Sequence, residues 1–93
     1  MNVTKTALKH IRGLKSRRRV PRGAGLRLGL KGASAFLRWD SSGPGGKDLV
    51  LTRGGQPFFI DARTYLRLAD YDLDYGGRGR VRRFLLRRKG GRI

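Results

Sequence analysis

The chain has 93 residues, 23 of them Lys or Arg, with six acidic residues, one histidine, no cysteine and a formal net charge of +17 at pH 7. That length holds one compact domain at most, and the absence of cysteine excludes disulfides, thiolate metal sites and cysteine catalysis. His10 alone leaves little for acid–base or metal chemistry, and no apolar run approaches the ~18–20 residues of a membrane span.

The charge is unevenly placed. Residues 1–39 hold eleven basic residues and no acid. Residues 40–75 hold four basic residues and all six acids: Asp40, Asp48, Asp61, Asp70, Asp72 and Asp74. Residues 76–93 hold eight basic residues and no acid. This divides the chain into a basic arm (1–23), a small β-rich core (24–75) and a basic helix or tail (76–93). Self-repulsion disfavours packing the two ends together unless something anionic lies between them. Seventeen of the 23 basic residues are arginine, whose planar guanidinium binds phosphate through two parallel hydrogen bonds and stacks on bases, which ammonium does less well. A GC-rich genome would also favour arginine over lysine, but it does not explain the net charge.

In chain order, residues 3–15 read as an amphipathic helix. Val3, Ala7, Leu8, Ile11 and Leu14 fall near one face, and Asn2 or Thr4 caps the start. A mitochondrial targeting helix, a helix laid on RNA and a helix docked by its apolar stripe all fit this pattern. Arg17, Arg18, Arg19 and Arg22 form a basic cluster around Val20 and Pro21, suited to phosphates. From Gly23 to Gly32 the residues alternate, Leu26, Leu28 and Leu30 against Arg27, Gly29 and Lys31. That is a half-buried strand with a cationic outer face. Ala35, Leu37 and Trp39 continue as strand, with Trp39 as a core anchor.

The run Asp40 to Gly46 is a loop joining two apolar runs, and a hairpin across it is the simple expectation. Asp48 to Arg53 is the return strand, Gly54-Gly55 a second turn, and Gln56 to Ile60 a further strand with Pro57 near its start. Asp61 caps a short helix, although Thr64 to Leu68 alternates equally well as strand. Asp70 to Tyr75 interleaves acids with aromatics; it lacks the glycine and terminal glutamate of a calcium loop, so pairing with basic groups is the expectation. Arg80 to Lys89 is expected as a cationic helix, with Val81, Phe84, Leu85 and Arg88 on one side and Gly90-Gly91 as its stop.

Two patches are similar to the bacterial and organellar large-subunit ribosomal protein thirty-one family. Gln56-Pro57-Phe58-Phe59 resembles its His-Pro-aromatic-aromatic segment. Gly79-Arg80-Val81-Arg82-Arg83-Phe84 resembles its Gly-Arg-Val-x-Arg-Phe helix start. The resemblance spans roughly residues 47–91. It implies a place on the large subunit, with Arg80 and Arg83 on rRNA or neighbouring proteins, Val81 and Phe84 seating the helix, and Pro57 and Phe58 closing a small sheet.

The resulting expectation is an α+β fold: a small antiparallel β unit with a basic N-terminal extension and a C-terminal basic helix, partly irregular. Its function would be a structural constituent of the ribosome, in the mitochondrion, without enzymatic activity or cofactor. The alternative is a virion-internal protein condensing a viral genome beside capsid protein. The nucleic-acid-binding set would be Arg17, Arg18, Arg19, Arg22, Arg27, Lys31, Arg78, Arg80, Arg82, Arg83, Arg87, Arg88 and Lys89. The partners would be rRNA, or viral nucleic acid, with neighbouring ribosomal proteins. Neither a small-molecule substrate, a metal nor a membrane span is expected.

Overall fold

The computed structural model describes residues 1–21, 23–31, 34–78 and 81–88. The elements are β1 (Asn2–Val3), α1 (Lys5–Arg17), β2 (Gly25–Lys31), β3 (Ser34–Asp40), β4 (Asp48–Arg53), β5 (Gln56–Asp61), α2 (Ala62–Leu68), β6 (Tyr71–Arg78) and β7 (Val81–Arg88). They form two sheets, one of order β3-β2-β5-β4 and one of order β1-β6-β7. The fold is therefore mixed α+β.

The alternating leucines of β2 place Leu26 and Leu28 in the core, 4% and 1% exposed, against Phe58 and Ile60 of β5, both fully buried. Strands β2 and β5 run parallel, pairing Leu26 with Phe58 and Leu28 with Ile60. The turn at Gly54-Gly55 closes a β4–β5 hairpin from Arg53 and Gln56. Both glycines have positive φ, 58° and 80°, which suits the primed two-residue turn that matches strand twist.

The expected hairpin across residues 40–46 does not form. Strand β3 pairs with β2 instead, and β4 with β5, so β3 and β4 end at opposite edges of the four-stranded sheet. The chain between them crosses the end of the sheet, tied down by Arg27. Its guanidinium donates Nε to Asp40 at 3.0 Å and both terminal nitrogens to Asp48 at 3.0 and 2.8 Å. It also lies over the Phe59 ring, 5.9 Å from the centroid.

Helix α1 starts as its sequence requires. Thr4 is the N-cap, its hydroxyl accepting from the Ala7 amide at 3.1 Å and donating to Asp74 at 2.6 Å. The first turn carries no acid of its own, so Asp74 supplies the negative charge that favours a helix N-terminus. Lys15 and Arg17 complement the other end. Ala7 and Ile11 are buried. Asp61 caps α2, accepting from the Arg63 and Thr64 amides.

The C-terminal helix expected over Arg80–Lys89 is a strand. Val81–Arg88 pairs antiparallel with β6 along eight residues. Phe84 and Leu86, two apart, pack against the core. A short apolar run fits both periods, and here the partner strand decided. Strand β6 carries Asp72 and Asp74 between the basic helix α1 and the basic strand β7. Arg87 Nε donates to Asp74 at 2.8 Å. The anionic layer that allows the two cationic ends to pack together is thus the chain's own β6.

The Arg27 clamp makes a pH prediction. Two hydrogen bonds from Ser42, then one from Arg27, pull Asp40 down from 3.8 to about 2. Arg27 first, then the Gly45 amide, pulls Asp48 below its ordinary value. Depressed carboxylates stabilise the fold above their unfolded pKa, and that stability is lost as pH falls from about 3.8 toward the folded values. We expect R27Q to be less stable at pH 7 and to lose less further stability between pH 4 and pH 2 than the wild type. Urea midpoints at the two pH values measure this. Parallel declines would show that Arg27 does not hold the two carboxylates.

Candidate functional site

A cleft of about 420 Å³ opens where the two sheets and α1 meet. Helix α1 lines one side with Ile11 and Leu14, and its C-cap residue Arg18 stands at the same wall. Strand β3 contributes Leu37, Arg38 and Trp39, and β7 contributes Arg83 and Phe84. Leu26 and Leu73 complete the lining from the two sheets. Among the described residues the lining is thus apolar, with three arginines drawn from three separate elements and no carboxylate.

None of these three arginines makes an ion pair or side-chain hydrogen bond among the described residues, whereas Arg27 and Arg87 pair with carboxylates. Three arginines without a carboxylate partner among the described residues thus line one cleft, and a guanidinium offers planar, directional donors to a carboxylate or phosphate.

Behind the cleft, the His10 ring stacks on Tyr75 with centroids 3.7 Å apart, and Phe84 meets both rings edge-on at 5.6 and 5.0 Å. Burial, and then the charge of Arg17, lowers the His10 pKa below 6.5. The neutral imidazole is a packing element there, between α1, β6 and β7.

The structure brings together only part of the expected arginine set. Arg18 and Arg83 line the cleft. Arg17, Arg19, Arg82 and Arg88 are exposed elsewhere. Arg27 and Arg87 are engaged by carboxylates. Lys31 and Arg78 lie in strands whose backbone alone is described, and Arg22, Arg80 and Lys89 lie outside the described residues. Sequence reasoning missed Arg38. Its signal was present in the alternation Leu37-Arg38-Trp39, but β3 carries no cluster of charge to mark it.

No protein-family model and no curated protein matches this chain. Solved structures do. SufA of Escherichia coli, described as involved in biosynthesis of iron–sulfur clusters, superposes with a TM-score of 0.69 at 25% identity, over 94% of this chain and 83% of that one. IscA with its [2Fe-2S] cluster superposes with the same score and coverage at 18% identity, a likeness of fold.

This likeness overturns the ribosomal resemblance, and with it the ribosomal function, the rRNA and ribosomal-protein partners, and the viral alternative. The second of the two patches that carried the resemblance is built mainly of Gly and Arg, which are abundant throughout this chain. It also expected a helix where Val81–Arg88 is a strand in a sheet. Pro57 and Phe58, read as closing a small sheet, lie in an inner strand of a four-stranded one.

The donor chemistry of this chain does not fit an iron–sulfur cluster. Such clusters are held by cysteine thiolates, with histidine replacing some of them in a few classes. This chain has no cysteine and one histidine, and that histidine is stacked on Tyr75. Among the described residues no group of three or more His, Asp or Glu side chains is placed to hold a metal. No helix among them is long and apolar enough to cross a membrane.

Proposed function

We propose that this chain serves iron–sulfur cluster biosynthesis as a binding protein that carries no cluster of its own. The observation behind this reading is a pairing. The SufA-like architecture runs over nearly the whole chain, while every thiolate that could ligate iron is missing from the sequence. What the fold offers instead is cationic surface and an arginine-rimmed cleft, so its action is recognition of an anionic group. Catalysis is not part of the proposal, since the one histidine is a neutral packing ring.

Two measurements test the two halves. Anaerobic incubation with ferrous iron and sulfide, followed by desalting, should leave no retained iron or sulfide and no thiolate-to-iron absorption in the visible. Stoichiometric iron and sulfide would overturn the cluster-free half. Deletion of the gene in its source organism should lower the activity of iron–sulfur enzymes while leaving their protein levels unchanged. Unaltered activities would overturn the assignment to this process.

A further inference from the structure

We propose that the cleft between α1, β3 and β7 is a binding site for a medium-chain acyl carboxylate, its chain on the apolar lining and its carboxylate among Arg18, Arg38 and Arg83. The inference goes beyond the role in cluster biosynthesis and does not depend on it.

Three features carry it. The volume, about 420 Å³, lies in the roughly 300–1,000 Å³ range of small-molecule sites. Seven of the ten lining residues are apolar, five aliphatic and two aromatic. Ile11, Leu26 and Leu73 are buried at its floor, while Leu14 and Leu37, with Trp39 and Phe84, offer an apolar wall against which an acyl chain can lie. The polar groups are few and all of one sign. Arg18, Arg38 and Arg83 arrive from a helix terminus and two strands of different sheets, and none is neutralised by a carboxylate among the described residues.

In a chain of net charge +17, three of its cations gathered at one opening without a carboxylate partner among the described residues repel each other. A bound carboxylate relieves that repulsion and accepts charge-assisted hydrogen bonds. General charge attraction by the other exposed arginines acts on any anion, with or without an acyl chain. Chain-length dependence therefore separates this site from general charge attraction.

The test uses the full chain, with Trp39 as the reporter. It is the protein's one tryptophan, and it lines the cleft. Octanoate, decanoate and dodecanoate are titrated below their micellar concentrations, with calorimetry alongside. We expect saturable fluorescence changes, with each added pair of methylenes tightening binding by about tenfold. Decan-1-ol should bind at least about tenfold more weakly than decanoate, because it lacks the charge. R38A and R83A should each weaken decanoate by about tenfold or more, whereas R63A, on the exposed face of α2, should match the wild type. L37F keeps every arginine but narrows the cleft, and should weaken dodecanoate more than octanoate. Thermal melts establish that each variant is folded. Affinity independent of chain length, equal loss in R63A and R38A, or calorimetric binding without a Trp39 response would each overturn the site.

Discussion

Replacing Phe58 by alanine should cost about 3–5 kcal/mol, the range for removing a fully buried aromatic ring from a core. Phe58 is 0% exposed. It sits in β5, between β2 and β4, paired with Leu26 on one side and Leu51 on the other. Neighbouring backbone strands on both sides prevent the core from closing over the void. A domain of this size has only about 5–15 kcal/mol of total stability, so F58A should be largely unfolded at 37 °C or close to its melting point. Urea denaturation followed by circular dichroism gives the difference directly. F58L, which retains most of the volume, should lose only about 1–2 kcal/mol. A loss below about 1 kcal/mol in F58A would mean that β5 is not the centre of the core.

The second large effect is expected at Gly25. This residue opens β2, is buried, and pairs with Asp40. A methyl group there would overlap the Phe59 ring at Cε1, Cε2 and Cζ. The ring has no simple escape, since it is 4% exposed and lies under the Arg27 guanidinium, which is itself fixed by Asp40 and Asp48. G25A should therefore cost about 1–3 kcal/mol by overpacking. Gly29 is the control. A methyl group there would overlap the Phe36 ring, but Phe36 is 42% exposed and can swing into solvent. G29A should stay within about 0.5 kcal/mol of the wild type. Equal melting temperatures for G25A and the wild type would show that the Phe59 ring moves freely and that the Arg27 clamp does not confine it.

Local signals were sound where the chemistry is local. The Leu26-Leu28-Leu30 alternation, the Gly54-Gly55 turn and the capping residues Thr4 and Asp61 each act through neighbours a few residues away. Strand β7 was misread because Val81, Phe84, Leu85 and Arg88 satisfy a helical period, while Phe84 and Leu86 satisfy a strand period. Only β6, with eight pairing positions and the carboxylate that engages Arg87, breaks that tie. The hairpin expected across residues 40–46 failed for a similar reason: β2 and β5 offered β3 and β4 better partners than each other.

The cleft shows the same division. Arg18 and Arg83 stood out in the sequence only as members of dense basic runs. Arg38 did not stand out at all, and nothing in the linear order joins the three. The family resemblance rested on two short strings and failed once the backbone was in view.

What the sequence determined by itself is the inventory. A chain without cysteine cannot ligate a cluster by thiolates in any fold, and a charge of +17 will seek anions in any conformation. Both statements depend on composition, which folding does not change. The tertiary structure decided position: that β6 lies between two cationic ends, that Arg27 is neutralised while Arg38 is free of ion pairs among the described residues, and that three arginines distant in sequence line one cleft. Such facts depend on long-range pairing between strands, whose energy comes from contacts that no local window of the sequence contains.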